Sequence, residues 1–191
     1  MSWENCDNPI YSITIPKILE IMKSLSIEQN EVYFSGSKIK YGAAIESRCS
    51  NGEISKLEKD IGYSLPADYK AFLLYTNGLK FASNLISSRI FCLEEIYDIR
   101  SIYGTNGLLP RPKNFLPIGS CVDNTVHILI NLEDDITSNM YMVYVMEDTY
   151  FSRLKCSFTT FFERFIISHG SAYWEWGAEK TNIRQRTDTV L

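Results

Sequence analysis

Two capped helices in the first half, a run of short strands through the middle and an aromatic helix near the end predict a mixed helix-and-sheet domain built on an antiparallel meander. Chain length agrees. At 191 residues the chain suits one domain. About 70% of the unfolded surface of a chain this size can be buried, so no disulfide or metal staple is required. Hydrophobic residues at 45% and charged residues at 22% place it among globular rather than disordered sequences.

Residues 16–25 open with Pro16 and set Ile18, Ile21, Met22 and Leu25 at helical spacing on one face. Residues 31–35 read as a short strand followed by a turn around Gly36. The next signal is sharper. Ser50 and Glu53 have the spacing of a capping box, Ile54, Leu57 and Ile61 line one face, and Gly62 stands where a left-handed stop belongs. A second helix follows at once. Pro66 suits a helix start, Asp68 favours the positive helix end, Tyr69, Phe72, Leu73 and Thr76 form the buried face, and Asn77-Gly78 closes it.

Beyond Gly78 the period changes. Residues 79–82 and 89–93 read as strands, and residues 93–102 as a helix carrying Glu94, Glu95 and Asp98. Pro110 and Pro112 force a loop. Residues 115–118, 125–132, 140–146 and 149–154 read as successive strands with short connections. In the second of these, Val126, Ile128, Ile130 and Leu132 point one way while Thr125, His127, Leu129 and Asn131 point the other. Ser157 opens the last helix, Phe158, Phe161, Phe162, Phe165 and Ile166 supply its face, and Gly170 stops it.

The residues from Ile54 to Gly78 resemble the signature of the SUKH superfamily: Leu57-Glu58, Ile61-Gly62, Leu65-Pro66, Asp68-Tyr69, Phe72-Leu73 and Asn77-Gly78 at set spacings. Residues 115–120 with Asp123-Asn124, and Ser157-Phe158 with Phe161, are similar as well, so the likeness spans about residues 53–166. Two positions depart from it. Val122 stands where the family commonly has glycine, and residues 144–148 lack the acidic, aromatic hairpin motif often found there. The resemblance implies an α+β single domain with a mainly antiparallel sheet flanked by helices. On this reading residues 1–50 are a helical extension packed on the domain, 51–170 the SUKH-like domain and 171–191 a partly flexible tail.

The same resemblance implies a non-enzymatic binding role. Its bacterial members include immunity proteins that neutralise toxins such as nucleases and deaminases, and its yeast members are regulators of cell-wall assembly. The expected function is therefore blocking a cognate, contact-delivered toxin domain, with a regulatory or scaffold module as the alternative. The signature residues themselves are expected to be structural.

Catalytic motifs are missing. There is no G-x-S-x-G turn, no phosphate loop with its lysine and no H-E-x-x-H helix. Cys121 and His127 lie close in sequence, but His127 falls on the polar strand face. A surface histidine beside a structural thiol explains the pair. Five scattered cysteines without C-x-x-C spacing suit a reducing cytoplasm. Neither a secretory leader nor a membrane-spanning stretch is read, and no metal or cofactor is expected.

Net charge is −4, which argues against a nucleic-acid binder. By segment the acid is uneven: residues 84–150 carry 9 acidic and 4 basic side chains, whereas residues 151–191 carry 4 and 6. Glu94, Glu95, Asp98, Glu133, Asp134, Asp135, Glu147 and Asp148 are thus the candidate partner-binding residues, suited to steering a basic protein toxin domain. A solvated surface that keeps the chain soluble explains the same charges. An exposed sheet edge would also let a second copy pair as a homodimer.

Overall fold

The structure, a computed structural model, describes residues 15, 17, 18, 20, 30–34, 37–83, 87–106, 114–133, 143–147, 150–154, 156–175 and 182–183. Its strands are β1 (Asn30–Phe34), β2 (Ser37–Ile45), β3 (Leu79–Ser83), β4 (Ser87–Ile90), β5 (Phe115–Cys121), β6 (Val126–Asn131), β7 (Val143–Glu147), β8 (Tyr150–Arg153) and β9 (Asn182–Ile183). They form one antiparallel sheet in which spatial order equals chain order. Helices α1 (Asn51–Ile61) and α2 (Ala67–Tyr75) sit between β2 and β3, α3 (Leu93–Asn106) between β4 and β5, and α4 (Phe158–Ile167) follows β8. The α+β arrangement expected from the sequence is therefore present.

Several segments differ from the sequence reading. The strand read at residues 31–35 is present as β1, and within the expected helical extension Ser37–Ile45 adds a second strand not read from the sequence; helical residues 15 and 18 lie upstream, with Ile15 and Ile18 buried in the core. The rest of the proposed 16–25 face, Ile21, Met22 and Leu25, lies outside the described residues. β4 runs from Ser87 to Ile90 rather than over 89–93, and Leu93 opens α3 as the helix reading has it, the helix continuing to Asn106. Within the expected tail, Asn182 and Ile183 pair with Ser152 and Phe151.

Local chemistry explains α1. The Ser50 hydroxyl accepts from the Glu53 N–H at 3.2 Å, while a Glu53 carboxylate oxygen accepts from the Ser50 N–H at 2.7 Å. Gly62, at φ 75°, provides the left-handed stop, its N–H donating to the Glu58 carbonyl. Glu58 then holds the turn into α2 by accepting from the Leu65 N–H at 2.7 Å and pairing with Lys70 at 2.6 Å.

Aromatic rings join α2 to α4. Phe158 stands edge-on to Tyr69 and Phe72 at centroid distances of 4.9 and 5.3 Å, and Phe72 meets Phe162 at 5.1 Å. Ser157 occupies the N-cap of α4 without a side-chain capping bond. The cap comes from Asp68 of α2, whose Oδ2 accepts from the Thr159 N–H and hydroxyl at 2.9 and 3.0 Å.

The sheet is covered on both faces. Val126, Ile128, Ile130 and Leu132 join the main core with Val143 and Val145, as the period-two pattern predicts. On the other face Leu129, Tyr144 and Met146 form a second cluster, and Ile99 of α3 packs against both. A register shift between Pro117 and Gly119 lets Leu116 and Cys121, of opposite parity, both reach the main core. Gly119 is required there, because a Cβ would lie 2.5 Å from the Arg89 carbonyl oxygen of β4.

Candidate interaction surface

Of the eight predicted acidic residues, the five among the described residues do not share one face. Asp134, Asp135 and Asp148 lie outside the described residues. Glu147 pairs with Val126 at one end of β6, whereas Glu133 follows the other end, where Asn131 pairs with Phe115. Five residue steps of extended chain hold those ends about 17 Å apart. Glu95 is occupied internally. One of its oxygens meets Arg89 Nη1 at 2.6 Å and the other accepts from the Cys92 N–H at 3.1 Å, which caps α3.

Glu94 and Asp98 remain, and both are exposed. They occupy an α3 stripe with Tyr97, Ser101 and Ile102, at i, i+3, i+4, i+7 and i+8, every member of which is exposed. The inward side of α3 carries Leu93 and Ile96 in the core. Tyr97 and Ile102 are 36% and 48% exposed. Sequence reading missed them. Their signal was that the apolar residues of α3 fall on two faces when one suffices for packing.

Helix α1 borders this stripe. Asp60 Oδ2 accepts from the Tyr97 hydroxyl at 2.9 Å, and burial together with that bond pushes the phenol up to about 12. Hydrogen bonds from Ser50 hold Glu53 below the usual carboxylate range. Glu94 is held low by its own N–H and by Cys92, with the nearby Glu53 charge opposing. At this end a surface recess of about 490 Å³ is lined by Arg48, Cys49, Ser50, Asn51, Glu53 and Leu74. Leu74 and Tyr75, at the end of α2, are 37% and 54% exposed. Cys49 itself is buried, and burial pushes its thiol up to about 12, so it is poorly suited to act as a nucleophile.

Cys121 and His127 do not meet as a catalytic pair. Cys121 stands opposite Val126 and His127 opposite Ser120, and successive strand residues face opposite ways, so the two side chains lie on opposite sides of the sheet. Cys121 is fully buried, its thiol pushed up to about 12 by burial first and by Glu175 and Glu147 second. Burial, then the Arg89 cation, keeps His127 below its ordinary value. Among the described residues no group of three His, Cys, Asp or Glu side chains is placed to hold a metal ion, and no helix is long and apolar enough to cross a membrane.

At the β5–β6 turn Val122, Asp123 and Asn124 have φ values of 51°, 54° and 67°. Asp123 Oδ1 accepts from the Ser87 N–H, and Asn124 Oδ1 accepts from the Ser120 hydroxyl and from Arg89. This is the position where glycine was expected from the family pattern, and the backbone conformation gives the reason.

Two proteins of Bacillus subtilis (strain 168) resemble the chain. The uncharacterized protein YnaB is 27% identical over 128 residues, covering 64% of this chain and 80% of its own length. The uncharacterized protein YobM is 24% identical over 139 residues, covering 69% of this chain and 72% of its own. The SMI1 / KNR4 family (SUKH-1) profile matches residues 48–164, from the residues before α1 into α4. That match takes in the helix pair, the central strands and the aromatic helix whose packing is described above, and the chain belongs to the SMI1 / KNR4 (SUKH-1) family.

Proposed function

We propose that this protein is an immunity protein that binds a cognate toxin domain and blocks its active site without turnover. Membership of the SUKH-1 family over residues 48–164 carries this reading, since the resemblance to that superfamily implies binding rather than catalysis. The placement of Cys121 and His127 on opposite sheet faces supports a non-enzymatic role. The exposed Tyr97 and Ile102 flank Glu94 and Asp98 on the outward side of α3, which supplies large and charged side chains of the kinds that interfaces use.

Co-expression with the toxin encoded beside its gene tests the reading. Restored growth, with a purified complex of fixed stoichiometry, is the expected result. Failure to rescue or to bind overturns it. Recovery of signalling or wall-synthesis proteins from the native host, with no toxin, would favour a regulatory module instead.

A further inference from the structure

We propose that β1 is the pairing edge of a homodimer, joining the β1 of a second copy as antiparallel strands about a two-fold axis at Val32. The inference is independent of the immunity reading.

Spatial order equals chain order in the sheet, so β1 and β9 are its two edges. The edges differ. β9 is two residues long, whereas β1 runs for five and keeps an unbroken register with β2 at every one of them. Natural sheets protect an edge by keeping it short or by placing proline, lysine or a bulge on it. β9 is short. β1, Asn30-Glu31-Val32-Tyr33-Phe34, carries none of these devices.

Backbone direction shows which groups this edge offers. The Glu46 N–H donates to the Gly78 carbonyl at 3.2 Å, on the β3 side of β2. Peptide groups alternate sides along a strand, so the odd-numbered residues of β2 turn theirs to β1. Tyr41, Ile39 and Ser37 stand opposite Asn30, Val32 and Phe34. Glu31 and Tyr33 therefore direct their N–H and C=O groups outward, and among the described residues no strand meets them there.

Those outward groups are symmetric about Val32. A second copy turned about a two-fold axis there sets Glu31 opposite Tyr33 in both directions, and each residue exchanges N–H and C=O with its opposite. Every outward group of both strands is then paired. A register with Glu31 opposite itself would oppose like charges. One centred on Tyr33 would set Glu31 opposite residue 35, beyond the end of β1.

Sedimentation velocity of the full chain between about 5 and 500 μM tests this. Reversible monomer–dimer exchange is expected. Tyr33→Pro removes one outward donor and no bond to β2, and Val32 before it is already extended, as proline requires. It should weaken the dimer at least about tenfold, with the thermal midpoint of the dilute chain unchanged. Val32→Cys sets two cysteines across the axis with Cα atoms about 4.5 Å apart, so diamide should cross-link it as a dimer. Glu31→Cys, opposite Tyr33, should cross-link no more than the parent chain. The cysteine variants report the register even where the proline variant fails to fold.

Three results would overturn the proposal: a monomer across the whole range, a dimer that Tyr33→Pro leaves intact in a folded chain, or cross-linking of Glu31→Cys in place of Val32→Cys. Growth rescue by the intact protein is read separately, so failure here leaves the immunity reading to its own assay.

Discussion

Asp68 caps α4 across 91 positions of chain: its Oδ2 takes both the backbone N–H and the hydroxyl of Thr159. Its Oδ1 accepts from the Tyr69 N–H at 2.9 Å. One carboxylate therefore fixes the start of α4 relative to α2, and the ring packing of Tyr69, Phe72, Phe158 and Phe162 follows from that alignment. Asp68→Ala should cost about 1–2 kcal/mol, less than a fully buried charged hydrogen bond because the group is partly exposed. Urea denaturation of the variant checks this. Ser157→Ala, which removes no capping bond, should lose much less.

Tyr69 is fully buried, yet its hydroxyl has no hydrogen-bond partner among the described residues. Burial raises its pKa well above the usual phenol value, so the group stays neutral. A buried, unsatisfied hydroxyl costs about 1–3 kcal/mol of desolvation. Tyr69→Phe should leave stability unchanged or raise it by about 1 kcal/mol. A loss of that size on thermal melting would show that the hydroxyl is satisfied by a buried water.

Val122 adopts φ 51° with a branched, 37% exposed side chain. The left-handed conformation costs about 1–2 kcal/mol for a residue bearing a Cβ, and glycine escapes it at some cost in chain entropy. Val122→Gly should stabilise the fold by about 0.5–1 kcal/mol. Alanine, which keeps the Cβ, should gain little. Differential scanning calorimetry of both variants separates backbone strain from loss of the side chain.

Burial holds His127 and His169 below the ordinary value of 6.5, with Arg89 contributing at His127. The unfolded chain then binds protons more readily than the folded one. Stability should be full above pH about 6.5 and decline as pH falls toward the lowered folded values. Glu53 and Glu94 are also lowered, as is Glu58, where Lys70 and the Leu65 N–H outweigh burial. Their contribution is present above about 4.5 and lost below it. Denaturant midpoints measured from pH 7.5 downward should show a two-stage loss, and exchanging both histidines for glutamine should flatten the first stage. Stability rising between about pH 7 and 5.5 would contradict the assignment.

The legible parts of the fold were those governed by local rules. Ser50, Glu53 and Gly62 act within one helix, and the alternation of Val126, Ile128 and Ile130 needs only one strand and one core. β2 was missed because its second half, Gly42-Ala43-Ala44, lacks the branched and aromatic residues that mark strands; pairing with β1 and β3 supplies what propensity does not. Leu129 was assigned to a polar face because the opposing Ile99 comes from a different element.

The same distinction governs the site. The helical spacing of Glu94 and Asp98 put them together on sight. Glu133 and Glu147 were grouped by proximity along the chain, and the register of β6 parts them.

Because every strand pairs only with its neighbours in the chain, no connection has to thread past another. The β4–β5 connection that carries α3 can therefore lengthen, shorten or change its outward residues while the other strand pairs keep their register. In evolutionary terms, the outward surface of this loop-borne helix is free to drift, and the sheet beneath need not change with it.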